Sequence, residues 1–230
     1  MRKLLRNITA ISTLLCCSIF SPAQAEEIPP SPIVKATLAV HAPSLKKNAD
    51  AWAAVTFTIP EHWHIYWQNP GDSGIPTTLD WTLPEGITAD PIQWPVPEAI
   101  DTSGIINYGY SNRVTLPVPF TIARDGVSGT ATVKASWLVC KEICIPESAT
   151  LSAPLAADAA AAKEVAAARE NVPLDTRTME GWKASYHAVN DSIQIILNAA
   201  ANMEAPTAAQ FFPVEDGVVA NHLKADLTFT

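Results

Sequence analysis

Short stretches of alternating apolar and polar residues run through the first two thirds of the chain. Residues 55–59 alternate and stop at Pro60, and residues 62–67 form a second extended stretch before the turn-rich residues 69–74. Further stretches of the same kind occupy residues 77–83, 114–122 and 130–139. Short strands at this spacing, separated by Pro, Gly and Asp, predict an all-β fold, an antiparallel β-sandwich.

The pattern changes after Pro154. Residues 156–170 are rich in alanine and end before the Asn-Val-Pro sequence of residues 171–173. This composition predicts a helix of about four turns with few large apolar side chains. We interpret residues 156–173 as a helical connector, with a partner-binding helix as the alternative.

A β-pattern restarts beyond the predicted helix, in residues 181–189 and 192–197. Residues 223–230 then alternate up to the end of the sequence. A half-buried strand seldom ends a chain with no turn or polar tail after it. We therefore expect residues 174–230 to be the start of a second β-sandwich domain, left incomplete in a fragment or a truncated product.

The N-terminus has the three parts of an export signal. Arg2, Lys3 and Arg6 precede a mostly apolar stretch at residues 8–20, and a small-x-small cleavage site follows at residues 23–25. Residues 1–25 are thus predicted to be removed, leaving the mature chain in a bacterial periplasm, where disulfides persist. No later segment has the roughly 18 uninterrupted apolar residues of a transmembrane helix.

Charge and motif content exclude several functions. The chain has a formal net charge of −8, and loss of the basic signal makes the mature protein more acidic. This acidity argues against binding nucleic acid or anionic membranes, which require basic patches. The sequence also lacks the Gly-x-Ser-x-Gly elbow of hydrolases and a phosphate-binding glycine loop. We expect no cofactor.

Two cysteines remain after the predicted cleavage, Cys140 and Cys144, because Cys16 and Cys17 lie in the signal. On one extended strand their Cα atoms would be roughly 13 Å apart. A disulfide requires less than about 7 Å. A bridged pair therefore predicts a tight hairpin, with one strand ending at Cys140 and the next beginning at Cys144.

Three uses of the cysteine pair remain open at this point. A bridge across so short a loop is a weak structural staple, so the residues favour a redox-active pair. The third use is as metal ligands, since soft thiolates suit Cu(I), and the alternative function is then copper binding or copper tolerance. His62 and His64, two apart in a strand-like stretch, would share a face fit for copper or zinc, or would pack at a sheet edge.

Several longer motifs occur in an order typical of one family. They are residues 63–74, Trp81 with residues 83–86, residues 94–95, residues 107–110, residues 116–118, and the cysteine motif of residues 137–147. In this order they resemble the periplasmic N-terminal region of the DsbD/ScsB family of membrane thiol–disulfide reductases, particularly its ScsB branch. The resemblance spans about residues 32–155 and continues more weakly through residues 211–213.

The resemblance implies an immunoglobulin-like redox domain over residues 26–155, with a second such domain in tandem. It implies that Cys144 forms mixed disulfides and that Cys140 resolves them. Electrons would arrive from a thioredoxin-like domain or a membrane reductase and pass to oxidised periplasmic thiol proteins, such as disulfide isomerases. The membrane and thioredoxin-like domains that normally follow are not in the given sequence.

The resemblance also implies a cap that shields the cysteines until a partner docks. Residues 105–110 match the family's cap loop, and Asn107, Tyr108, Gly109 and Tyr110 are the candidate cap and partner-contact residues. The DsbD branch has an aromatic residue at the position of Asn107. Tyr108 or Tyr110 would therefore have to cover the cysteines, unless both tyrosines pack at a strand edge.

Overall fold

The structure is a computed structural model that describes residues 32–175, 178, 180–190, 192–200 and 209–221. The predicted signal peptide and the alternating residues 223–230 lie outside these described residues. Within them, no helix combines the length and the apolar character needed to cross a membrane.

Residues 32–175 form two antiparallel sheets and one helix. The strands are β1 (Lys35–His41), β2 (Ala51–Thr58), β3 (His64–Gly71), β4 (Thr78–Thr82), β5 (Ile87–Ala89), β6 (Glu98–Thr102), β7 (Ile105–Ser111), β8 (Arg113–Ile122), β9 (Thr130–Cys140) and β10 (Cys144–Pro154). One sheet has the strand order β1–β2–β8–β5. The other has the order β10–β9–β3–β7–β6, with β4 also paired to β9.

The core lies between the inner faces of the two sheets. Phe57 on β2 meets Trp137 on β9 edge to face, with ring centroids 5.2 Å apart. On β3, Ile65 and Trp67 point into the same core, so Tyr66 between them and His64 before them lie on the outer face of the sheet. The predicted antiparallel β-sandwich is confirmed, and each of the five predicted strands is present with ends shifted by a few residues.

The predicted helix is present as α1 (Ala159–Glu170). It begins three residues later than predicted because Asp158 is its N-cap, with a side chain that accepts a hydrogen bond of 2.7 Å from the Ala161 amide. Its Val165 packs against Trp52 and Ala54 on the outer face of β2. The helix is therefore docked on the sandwich, which explains why both faces of β2 are buried.

Two strands follow the helix, β11 (Trp182–Val189) and β12 (Ser192–Ala199). They pair antiparallel with each other as a two-stranded sheet. Large apolar side chains of this hairpin are exposed, among them Tyr186 and Leu197. The predicted β-restart is confirmed, while its assignment to an incomplete second domain stays a prediction.

A buried carboxylate joins the cysteine hairpin to the start of the sandwich. Glu147 on β10 is 8% exposed and lies opposite Trp137 in the β9–β10 register. Its oxygens accept hydrogen bonds from the Ile33 amide at 2.6 Å, the Val34 amide at 3.1 Å and the Trp137 indole at 3.1 Å. A buried donor that loses its acceptor costs free energy, so this carboxylate stabilises the domain.

We expect Glu147→Ala to lower the free energy of unfolding by about 3 kcal/mol, because it leaves buried donors unsatisfied. Denaturant unfolding of the purified protein measures this loss. Glu142→Ala, at an exposed position in the cysteine turn, is the matched control and should change stability by less than about 0.5 kcal/mol. Equal stability of the two variants would contradict the role given to Glu147.

Candidate functional site

The two cysteines close a hairpin at one end of the sandwich. β9 ends at Cys140, β10 begins at Cys144, and the two residues lie opposite each other in the antiparallel register. Their Cα atoms are 4.2 Å apart and their sulfurs are bonded. In the turn, the Lys141 amide donates a hydrogen bond of 3.2 Å to the Ile143 carbonyl. The hairpin predicted from the spacing is confirmed.

The two sulfur-bearing residues differ strongly in exposure. Cys140 is 2% exposed, because the end of β9 lies beside β3, where His64 is paired with it. Cys144 is exposed, because it opens β10 at the edge of the sheet. A thiolate must reach a disulfide sulfur directly to attack it, so Cys144 is the accessible end of this disulfide.

The outer face of β3 places a tyrosine and a histidine beside the disulfide. The Tyr66 hydroxyl lies 3.8 Å from Cys144 Sγ, within hydrogen-bond range of a sulfur acceptor. The His64 Nε2 atom lies 3.3 Å from the same hydroxyl. The sequence reasoning did not assign either residue to the redox site. The sequence holds one indication of their shared position: His64 and Tyr66 are two residues apart on a predicted strand, with the apolar Ile65 between them, and so lie on the same face.

Burial sets the protonation of both groups. It raises the pKa of Tyr66 above its usual value, against a smaller lowering by a side-chain interaction with Ser73. Burial lowers the pKa of His64 below 6.5. Near neutral pH the site therefore presents a neutral phenol and a neutral imidazole, and the Tyr66 hydroxyl keeps the proton that it can donate to sulfur.

A glycine-containing loop lies over the Tyr66 ring. Gly74 has φ +101°, and a Cβ there would lie 2.2 Å from the Tyr66 Cε1 atom, so no other residue leaves room for the ring. Asn107 Oδ1 accepts hydrogen bonds from the Ser73 amide at 3.2 Å and the Ser73 hydroxyl at 3.0 Å. These contacts connect β7 to the loop that covers Tyr66.

The predicted cap segment forms β7 in the sheet. Along this strand Tyr108 and Tyr110 are buried in the core, and the alternate residues Asn107 and Gly109 face the other side. The Tyr110 hydroxyl donates to the Pro95 carbonyl at 2.8 Å, and burial raises the pKa of Tyr110. Because both rings point away from the outer face, the prediction that one of them covers the cysteines is wrong. A partner contact by this segment stays a prediction.

The predicted two-histidine face is also wrong. His62 lies in the turn before β3 with φ +69°, is exposed, and has its Nε2 atom 3.5 Å from a Glu61 carboxylate oxygen. His64 is on β3 and buried. The strand begins two residues later than predicted, so the alternation that would align the two rings does not extend to His62. Across the described ranges, no group of three or more His, Cys, Asp or Glu side chains is arranged to hold a metal ion.

Comparisons with known proteins identify relatives of this fold. The family model described as "Thiol:disulfide interchange protein DsbD, N-terminal" matches residues 32–156. The N-terminal periplasmic domain of ScsB from Proteus mirabilis matches with a TM-score of 0.58 and 21% identity, over 76% of this chain and 67% of that one. The likeness to ScsB is one of fold.

A second solved structure, the N-terminal domain of DsbD from Neisseria meningitidis in its reduced form, is 16% identical. It matches with a TM-score of 0.34 over 55% of this chain and 89% of that one. Among curated proteins no match is found.

The lowered pKa of His64 predicts an acid-dependent loss of stability. As the pH falls below 6.5, the imidazole in the unfolded chain takes up a proton while the buried imidazole does not, so the free energy of unfolding decreases. We expect His64→Gln to flatten this decrease between pH 7 and about pH 5 in denaturant unfolding. His62→Gln, at the exposed neighbouring histidine, is the control, and equal pH slopes for both variants would contradict the assignment.

Proposed function

The chain belongs to the family of N-terminal domains of the thiol:disulfide interchange protein DsbD, and we propose that it relays electrons between periplasmic proteins. The family and the Cys140–Cys144 disulfide together support a thiol–disulfide exchange module. The observation that supports the relay most strongly is the difference between exposed Cys144 and buried Cys140. One sulfur is open to a partner, and the other is held as its intramolecular leaving group.

Reduction of the module proceeds in two exchanges. A thiolate of the donor, a thioredoxin-like domain or a membrane reductase, attacks Cys144 Sγ, and Cys140 leaves as a thiolate. The donor's second thiolate then attacks the donor sulfur that is bonded to Cys144, which releases Cys144 as a thiolate. The donor is oxidised to a disulfide, and the module gains two electrons and takes up two protons from water as its thiolates are protonated.

Transfer of electrons from the reduced module to an acceptor uses the same kind of exchange, with the module now as the electron donor. The Cys144 thiolate attacks the disulfide of an oxidised periplasmic thiol protein and releases one acceptor thiolate. Cys140 then attacks Cys144 Sγ, which re-forms the intramolecular disulfide and releases the reduced acceptor. Tyr66 contacts the reacting sulfur and can donate a hydrogen bond to the Cys144 thiolate in both directions, because its hydroxyl stays protonated.

The surface around the accessible sulfur suits transient contact with a folded partner. Ile143, next to Cys144 in the hairpin turn, is 47% exposed. An apolar side chain beside the reacting sulfur gives a partner contact area without a charge to desolvate. This supports a folded protein as the exchange partner, such as a disulfide isomerase on the acceptor side.

A trapping experiment tests the assignment of roles. We expect Cys140→Ala to accumulate a covalent complex with a thioredoxin-like protein that lacks its second cysteine and whose remaining cysteine is activated as a mixed disulfide with thionitrobenzoate, because neither protein then has a thiol that resolves the complex. Cys144→Ala should trap about tenfold less, because Cys140 is buried. Non-reducing electrophoresis measures the complexes, and equal trapping by the two variants would overturn the assignment.

A redox titration tests the exchange function itself. Equilibration in glutathione buffers should show one two-electron transition, at a potential above the level of about −300 mV below which structural disulfides usually lie. The double variant Cys140→Ser/Cys144→Ser should lose exchange activity and keep the fold, because so short a loop adds little stability. A disulfide that resists reduction across the whole range would identify a structural staple and contradict the relay.

A further inference from the structure

A segment far downstream in the chain packs against the strands of the redox site. We name residues 209–221 the downstream strap. Its Phe212 ring contacts Trp67 on β3 and Tyr108 on β7 edge to face, with centroid distances of 6.2 and 5.3 Å. The outer face of β3 carries Tyr66 and His64 beside the disulfide, so the strap contacts the inner side of the same part of the sheet.

Hydrogen bonds extend the strap onto the end of β3. The Asn69 side chain is 2% exposed, and its amide nitrogen donates to the Pro213 carbonyl at 2.8 Å and the Glu215 carbonyl at 3.3 Å. Its Oδ1 atom accepts from the Gly71 amide at 3.0 Å. One buried side chain therefore links the strap to the first residues of the loop that lies over the Tyr66 ring.

Asn221 makes a second link to the same loop. Its Oδ1 atom accepts from the Tyr108 hydroxyl at 3.1 Å, and its amide nitrogen donates to Asp72 Oδ1 at 2.8 Å. The other oxygen of Asp72 accepts from the Ile106 amide at 2.7 Å. Asn221 thus holds Asp72 between the strap and β7.

The loop transmits this placement to the disulfide. Ser73, next to Asp72, donates its hydroxyl hydrogen bond to Asn107 Oδ1, and Gly74 lies against the Tyr66 ring. Gly71 and Gly74 have φ of +85° and +101°, conformations that glycine adopts among many others. Since the glycines do not fix the loop by themselves, its contacts decide where it lies.

We infer that the downstream strap is a positioning element of the redox site, in which Phe212 seats the strap on β3 and β7 and Asn221 holds the Asp72–Gly74 loop, so that the Tyr66 hydroxyl stays on Cys144. The inference rests on the proposed function, since it concerns the same reactive sulfur. It goes further in making the reactivity of Cys144 depend on a segment outside the cysteine-bearing sandwich. The strap acts through Tyr66 and does not touch the reacting atoms.

The test measures the rate at which iodoacetamide alkylates Cys144 at pH 7 in reduced protein carrying Cys140→Ala. Loss of one hydrogen bond to the Cys144 thiolate lowers the fraction of Cys144 in the thiolate form about fivefold. The thiolate that remains is more nucleophilic, because its pKa is higher, so the alkylation rate falls only about two- to threefold. We expect Tyr66→Phe to slow alkylation by that factor, and Asn221→Asp to do the same, because it places a second carboxylate against Asp72.

Two further variants separate positioning from general destabilisation. Asp72→Asn combined with Asn221→Asp reverses the donor and acceptor, and should restore the original rate. Asn221→Asp added to Tyr66→Phe should cause no further slowing, because the hydroxyl on which it acts is gone. Asn171→Asp, which disturbs a side-chain hydrogen bond to Ala167 at the end of α1, is the matched control and should leave the rate unchanged.

The inference is overturned if Asn221→Asp leaves the rate unchanged, speeds alkylation by uncovering the sulfur, or slows it equally with and without the Tyr66 hydroxyl. Phe212→Ala provides a second approach to the same contact and should slow alkylation only when Tyr66 is present. Because alkylation needs no protein partner, these rates remain informative if the protein proves unable to exchange disulfides. Such a failure would refute the proposed function and leave the positioning role standing.

Discussion

The register between β9 and β10 is the constraint on which the redox site depends. It sets Cys140 opposite Cys144, so that a three-residue turn closes the disulfide. The same register sets Glu147 opposite Trp137, where the carboxylate accepts buried hydrogen bonds from Trp137 and the N-terminal segment. A slip of one residue would turn every side chain of β10 to the other face, so the buried carboxylate and the disulfide support each other.

The sequence alone was sufficient for the elements that depend on local pattern. Alternation predicted the main strands, and the distance argument predicted the hairpin between Cys140 and Cys144. Tyr66 and His64 were not predicted as neighbours of the disulfide, because alternation shows that they share a face and does not show what lies beside it. That neighbour is set by the pairing of β3 with β9, a contact between residues 76 positions apart at His64 and Cys140.

The prediction that Tyr108 or Tyr110 covers the cysteines was wrong for a related reason. The resemblance located the segment from Asn107 to Tyr110, but side-chain direction follows from its pairing as β7. In that strand the two tyrosines are core residues, and Asn107, the departure from the DsbD pattern, holds Ser73 beside Tyr66. The contacts of Phe212 and Asn221 with this region join residues more than 100 positions apart, which no local pattern could have indicated.

The central claim is that Cys144 is the reactive sulfur and Cys140 its sheltered partner. The most direct measurement is to reduce the protein with both cysteines in place, treat it with a limiting amount of iodoacetamide, and locate the label by peptide mass. The unequal exposure predicts that the label lies almost entirely on Cys144. Equal labelling of the two cysteines, or a preference for Cys140, would contradict the account.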